Sequence, residues 1–178
     1  MHKQTFTIPG VVLITPEVFT DPRGFFLESF HQKRYEQHGL LSAFVQDNLS
    51  FSCHKTLRGM HFQSSPGQAK LITVLQGKIW DVFADIRVDS PTYLQWQAVE
   101  LCSTKYQQLL LPVGIAHGFC VLSEQVLVQY KVSTHYDPAT EKSFRYDDPQ
   151  LNIAWPIADP ILSEKDRAAA YFHELDYV

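Results

Sequence analysis

From Ala43 onward the chain is a succession of short apolar runs, each stopped within a few residues by Gly, Pro or Asp, and few stretches carry the helical period. That punctuation leaves room for many short strands and little else. Residues 71–75 and 79–86 are two such runs, joined across Gln76-Gly77-Lys78 at a spacing that suits a tight hairpin. In the second run Trp80, Val82, Ala84 and Ile86 share one face, while Ile79, Asp81, Phe83 and Asp85 share the other, so one face is expected to look inward. Ser90-Pro91-Thr92 turns the chain, residues 107–111 extend again, and Pro112-Val113-Gly114 turns once more before strands over 117–123 and 125–132. Strands at this spacing predict an all-β sandwich or barrel. Two peripheral helices are expected, one over 31–39 stopped by Gly39, and one opened by Ser163-Glu164-Lys165-Asp166 that runs through Ala168, Ala169 and Ala170.

Composition narrows the class further. With 45% hydrophobic, 13% aromatic and 19% charged residues, the sequence lies far from the low-hydrophobicity corner where chains stay disordered. Its 178 residues suit one domain, taken as 1–178, and such a domain buries enough surface to need neither disulfides nor a structural metal. Cys53, Cys102 and Cys120 are odd in number, widely spaced and without CxxC, which argues against a disulfide framework or zinc site and for a reducing compartment. Fifteen Lys and Arg against nineteen Asp and Glu give a net charge of −4, unsuited to a broad nucleic-acid or anionic-membrane surface. Neither a signal-like apolar stretch after Met1 nor a membrane-length apolar run is present. The expectation is a soluble, cytoplasmic protein with no membrane or nucleic-acid partner.

Few residues stand out for chemistry. Within Leu57-Arg58-Gly59-Met60-His61-Phe62-Gln63 an imidazole sits in a strand-like stretch, and Lys70 shares the alternation of Ile72 and Val74. Taken alone, a core histidine and a surface lysine with a buried stem account for both. Pro112-Val113-Gly114-Ile115-Ala116-His117-Gly118-Phe119 resembles the second half of the cupin signature, PxGxxH. The first half normally brings two metal-binding histidines one residue apart, and here that place reads His61-Phe62-Gln63. Glutamine is a poor ligand for the metals that imidazole suits, so a catalytic metal is not expected. His2, His31, His38, His54, His135 and His173 are scattered and expected to be exposed. Tyr130 shares a face with Val126 and Val128 and should point inward, where packing alone could account for it. Asp166, three residues after Ser163, reads as the closing residue of a capping box.

The order of the clusters says more than any one of them. Asp21-Pro22-Arg23-Gly24-Phe25-Phe26-Leu27-Glu28, Gln46-Asp47-Asn48-Leu49-Ser50, the stretch around His61, Gln68-Ala69-Lys70-Leu71, Asp85-Ile86-Arg87 with Ser90-Pro91-Thr92-Tyr93, the PxGxxH segment, Tyr130-Lys131, Tyr136, Trp155-Pro156 and Ser163-Glu164-Lys165-Asp166 follow one another between about Phe6 and Asp166. In that order they resemble the dTDP-4-dehydrorhamnose 3,5-epimerase family. The resemblance implies a metal-free cupin jelly roll, homodimeric, without a cofactor, acting on a dTDP-4-keto-6-deoxyhexose. It implies His61 as general base with Asp166 as its carboxylate partner, Tyr130 as general acid, and Lys70 holding the oxygen on carbon 4. Arg23, Arg58, His117 and Lys165 would then line the nucleotide-sugar site and its diphosphate, and Glu28, Gln46, Asp47, Asn48 and Glu141 would supply polar contacts. Tyr136 and Phe26 would lie against the thymine ring, Phe26 reaching it from a neighbouring subunit.

The residue types suit that chemistry. The hydrogens on carbons 3 and 5 of a 4-keto sugar both lie α to the carbonyl, so loss of either proton places charge on the same oxygen, and one cation serves both steps. A neutral imidazole is matched to proton abstraction near neutral pH, and inversion needs a donor on the opposite face. Two rival readings keep parts of this set: an epimerase of an antibiotic-sugar pathway that inverts carbon 3 alone, and a non-catalytic cupin that binds a sugar nucleotide.

Overall fold

The computed structural model describes residues 1–41 and 43–176. In chain order the elements are β1 (His2–Thr5), β2 (Val12–Thr15), β3 (Val18–Asp21), β4 (Gly24–Leu27), α1 (Gln32–Gln37), β5 (Gln46–Cys53), β6 (Leu57–Gln63) and β7 (Lys70–Gln76). They continue with β8 (Lys78–Asp85), β9 (Trp96–Cys102), β10 (Gln108–Leu111), β11 (Ile115–Val121), β12 (Gln125–Val132), β13 (Glu141–Ser143), α2 (Glu164–Arg167) and a 3₁₀ turn at Phe172–Glu174. A six-stranded sheet, ordered β1-β2-β10-β7-β12-β5, faces a five-stranded sheet ordered β13-β6-β11-β8-β9, and β3 with β4 forms a separate two-stranded arm. The all-β architecture with short peripheral helices is the one the sequence pattern predicts. Among the described residues no helix is long and apolar enough to cross a membrane.

Apolar side chains of both sheets meet between them. Ile72, Val74, Val126 and Val128 project from one side, and Ile79, Phe83, Phe119 and Val121 from the other, all buried. The inward face of β8 is therefore the one carrying Ile79 and Phe83, but the opposite face is covered too. Val82, Ala84 and Ile86 pack outward against Phe144, Leu151, Ile153 and Phe172 of the C-terminal segment. Fully burying a side chain of this kind contributes about 1.5–3 kcal/mol, so the cover is part of the stable fold.

Three sequence expectations are corrected. β7 and β8 do not form a hairpin: β7 pairs with β10 and β12, and β8 pairs with β11 and β9. Gly77 carries the chain from one sheet to the other at φ +83, and a Cβ there would lie 2.2 Å from the Gln125 carbonyl oxygen. Apolar content on both flanks mimics a hairpin because each strand lines the same core from opposite sides. The second helix stops at Arg167 instead of running through Ala170, since the Ala170 carbonyl accepts from Arg145 N–H at 3.0 Å and the residue bridges Phe144. The strand expected over 117–123 begins earlier, at Ile115.

Two features position the site. β6 and β11 approach closely, with Gly59 at φ +114, where a Cβ would lie 2.6 Å from Gly118 Cα and 2.7 Å from the His117 carbonyl oxygen. The register shifts between His117 and Phe119, and His61 comes directly opposite His117. The C-terminal segment then runs alongside β6: Leu57 N–H donates to Ile161 O at 3.0 Å, and α2 follows at once. Gly59→Ala should destabilise the protein by more than about 1 kcal/mol, because alanine is strained at positive φ and meets backbone there. Urea unfolding of the variant and the wild type checks it.

Candidate active site

Between the sheets lies a cavity of about 350 Å³. The five-stranded sheet contributes Arg58 and His61 from β6, His117 from β11 and Glu141 from β13; the six-stranded sheet contributes Gln46, Asn48 and Ser50 from β5, Lys70 from β7 and Tyr130 from β12. Strand alternation explains the β5 set, since residues two apart share a face.

His61 Nε2 donates to Asp166 Oδ1 at 2.5 Å, across 105 positions of sequence. Asp166 is buried at 4% exposure. The Ser163 hydroxyl donates to its other oxygen at 2.8 Å, while the Ser163 Oγ accepts the Asp166 N–H at 3.0 Å. The expected cap is therefore half present: the serine caps the helix, but the carboxylate serves His61 and the serine hydroxyl. Burial raises the Asp166 carboxyl, yet the His61 and Ser163 hydrogen bonds and the Lys165 charge leave it below the usual carboxylate range. With Nε2 engaged, His61 Nδ1 has no partner among the described residues and is the nitrogen open to accept a proton.

Lys70 and Tyr130 face this dyad from the other sheet. The Lys70 ammonium donates weakly to the His61 carbonyl at 3.4 Å. Burial pushes its pKa down to about 8, against the pull of Glu141 and Asp81. Burial raises the Tyr130 hydroxyl, with Arg58 opposing and Glu141 reinforcing, so it stays protonated at neutral pH. That hydroxyl has no hydrogen-bond partner among the described residues. Arg58 is braced by Ser52 Oγ at 2.9 Å and the Phe51 carbonyl at 3.3 Å. At the rim, Glu141 accepts from the Tyr136 hydroxyl at 3.0 Å and from the Lys165 ammonium. Burial would raise Glu141, but these two partners bring it down.

The fold gathers His61, Asp166, Lys70, Tyr130, Arg58, His117, Gln46, Asn48, Tyr136, Glu141 and Lys165 at or beside the cavity. It does not bring the remaining expected residues there. Arg23, with 90% side-chain exposure, pairs with Asp21 on the β3–β4 arm, Phe26 is 67% exposed on the same arm, and Glu28 pairs with Arg34 at 3.3 Å. Asp47 points to the outer face of β5 and binds Lys131 at 2.8 Å. Its neighbours Gln46 and Asn48 take the inner face, because adjacent strand residues alternate. The scattered histidines 2, 31, 38, 54, 135 and 173 are exposed as expected. Sequence reasoning missed Ser50, Gln68 and the buried Asp81 behind His117. Ser50 follows Gln46 and Asn48 at the same two-residue spacing, and Asp81 shares the inward face with Phe83, so both were within reach of that signal. Gln63, in the place of the absent second histidine, accepts from Gln68 at 3.0 Å and donates to the His135 carbonyl at 3.3 Å.

The two facing sheets form a cupin-type jelly roll, and the relatives the chain matches place it among enzymes of the isomerase class. The chain belongs to the dTDP-4-dehydrorhamnose 3,5-epimerase family, which it matches over residues 5–174. It is 44% identical to the enzyme of that name from Shigella flexneri over 96% of this chain and 95% of the relative. It is 42% identical to the one from Pseudomonas aeruginosa over 99% and 98%. The Legionella pneumophila epimerase solved in complex with dTDP-4-keto-L-rhamnose superposes with a TM-score of 0.94 at 44% identity, covering 98% of this chain and 94% of that one.

The depressed Lys70 pKa has a consequence for stability. A lysine held at about 8 when folded, against 10.5 otherwise, makes the fold bind fewer protons than the unfolded chain between those values. Stability should therefore rise with pH through that window, and the charged lysine should cost up to about 3 kcal/mol at neutral pH. Lys70→Met is expected to raise the melting temperature at pH 7 while abolishing turnover, which calorimetry beside an activity assay measures.

Proposed function

We propose that this chain converts dTDP-4-keto-6-deoxy-D-glucose to dTDP-4-keto-L-rhamnose by inverting carbons 3 and 5. The observation that carries the reading is geometric: a histidine held by a buried carboxylate stands on one sheet, and a protonated tyrosine stands on the facing sheet with a lysine beside it. A substrate between the sheets has one face to the base and the other to the acid. His61 Nδ1 takes the proton from carbon 3 or carbon 5, Asp166 stabilises the imidazolium, and Lys70 stabilises the enolate oxygen on carbon 4. Tyr130 returns a proton from the opposite side, which inverts the centre. Arg58 suits the diphosphate because its forked donors bind oxygens bidentately. The family membership and the ligand of the Legionella relative support the substrate.

The experiment is NMR of the sugar after incubation in deuterated water. Deuterium at carbons 3 and 5 with both centres inverted is expected; change at carbon 3 alone would make the enzyme a mono-epimerase, and no exchange with dTDP still bound would leave only a sugar-nucleotide-binding protein. In Tyr130→Phe, exchange should outlast epimerisation, since His61 still removes protons while the opposite-face donor is gone. Stability should stay within about 0.5 kcal/mol, as the hydroxyl holds no hydrogen bond among the described residues. Equal wild-type rates for both processes would exclude Tyr130 as the acid.

The reading extends to a homodimer. β5 is an edge strand of the six-stranded sheet, and its outer face exposes Leu49 at 65% and Phe51 at 60%. The β3–β4 arm adds Phe25 at 56% and Phe26 at 67%. A bare, apolar edge is best covered by a second copy, and the arm would then carry Arg23 and Phe26 toward the neighbour's cavity. Sedimentation at micromolar concentration should give a dimer, and a fully active monomer would refute the shared site. A cytoplasmic location fits the three unpaired cysteines.

A further inference from the structure

Asp81 lies on β8 at 0% exposure and has no part in the chemistry above. Its Oδ2 accepts from His117 Nε2 at 2.9 Å, and its Oδ1 has no hydrogen-bond partner among the described residues. A carboxylate oxygen buried without a donor is costly unless a nearby positive charge compensates it. Burial pushes the Asp81 carboxyl up, while His117 and Lys70 pull it back. Lys70 projects from β7 of the facing sheet and, among the described residues, donates only to the His61 carbonyl. The titratable and charged groups that share its cavity are His61 and Arg58 on β6, His117 on β11, Tyr130 on β12 and Glu141 on β13, with Asp81 on β8 behind His117 and Asp166 behind His61.

We propose that Asp81 is a positioning residue: one oxygen fixes the ring orientation and tautomer of His117, and the charge of the carboxylate keeps the Lys70 ammonium protonated inside the cavity. The proposal rests on the epimerase reading. Substrate entry expels water and makes a buried cation harder to keep, at the moment when the enolate needs it. A carboxylate in direct contact with Lys70 would hold the charge but would occupy the N–H groups and cancel their pull on the substrate oxygen. Tethered instead to His117, Asp81 supplies charge from a distance and leaves the lysine donors free. His117 is fixed in the same stroke, with Nε2–H donated to Asp81 and Nδ1 left as an acceptor.

The test is Asp81→Asn, which keeps the shape and the hydrogen bond to His117 but removes the charge. The alkaline limb of the kcat profile should move down by about one unit, so that kcat falls about twofold at pH 7 and up to about tenfold well above pH 8. Affinity for dTDP, which does not touch the enolate, should be unchanged. Asp81→Glu, which restores the charge, should keep the wild-type alkaline limb. A wild-type pH profile in Asp81→Asn, or an alkaline limb displaced in Asp81→Glu as far as in Asp81→Asn, overturns the proposal. Should the Asn variant not fold, NMR titration of the Lys70 side chain in the wild-type dTDP complex decides instead: an ammonium through neutral pH supports it, and a neutral amine overturns it. A wild-type protein that neither exchanges nor epimerises overturns the function itself, whereas an active wild type with an indifferent Asn variant removes only the role of Asp81.

Discussion

Strand β6 is packed on both faces, and the geometry of the candidate site depends on that packing. Its inner side gives Arg58 and His61 to the cavity, while Met60 and Phe62 on the outer side pack against Phe144, Leu151 and Phe172. Those outer contacts hold the C-terminal segment in place. They lay Ile161 against Leu57, start α2 beside the barrel wall and present Asp166 to His61. A hydrogen bond spanning 105 positions would be entropically expensive in a free chain. Here the apolar cover has already met that cost, so the dyad is preorganised.

The electrostatics follow from the same packing. In a cavity shielded from water, each ionisable group must either find a partner or surrender its charge. Asp166 keeps its charge through His61 and Ser163, Glu141 through Tyr136 and Lys165, and Tyr130 stays neutral. Lys70 is the exception, half-way to neutrality at slightly alkaline pH and without a carboxylate in contact among the described residues. A group left in that condition costs stability, which fits the role proposed for it beside a developing negative charge.

Much of this was legible in the sequence, and the failures share a cause. Period-two alternation placed Tyr130 with Val126 and Val128, and Lys70 with Ile72 and Val74, because residues two apart on each strand share the inward face. The strands β1, β3 and β4 gave no such signal: β1 is exposed throughout, and the aromatic residues of the β3–β4 arm lie open to solvent. The apparent hairpin at Gly77 failed because local spacing reports that the chain reverses, not which sheet receives it. Partners such as His61 and Asp166, which meet only through packing, became visible through the ordered motifs and not through any local pattern. Of the four residues that resemblance placed at the site and the single chain does not, Arg23, Phe26 and Glu28 sit on or beside the β3–β4 arm, and Asp47 faces outward on β5.

That distribution bears on how one fold manages inversion. Proton removal and return must come from opposite faces of a planar enolate, so base and acid cannot both stand on neighbouring strands of one sheet pointing the same way. Two facing sheets meet that requirement, since their walls look at each other across a cavity of about 350 Å³. His61 rides on β6 and Tyr130 on β12, strands that share no ladder. The relative placement of the proposed acid and base is set by the inter-sheet core of Ile72, Phe83, Phe119 and Val128 rather than by the loops. Packing in that core therefore bears on stereochemical outcome as well as on stability, because a shift of one wall moves the acid relative to the base while leaving each hydrogen-bonded partner in place.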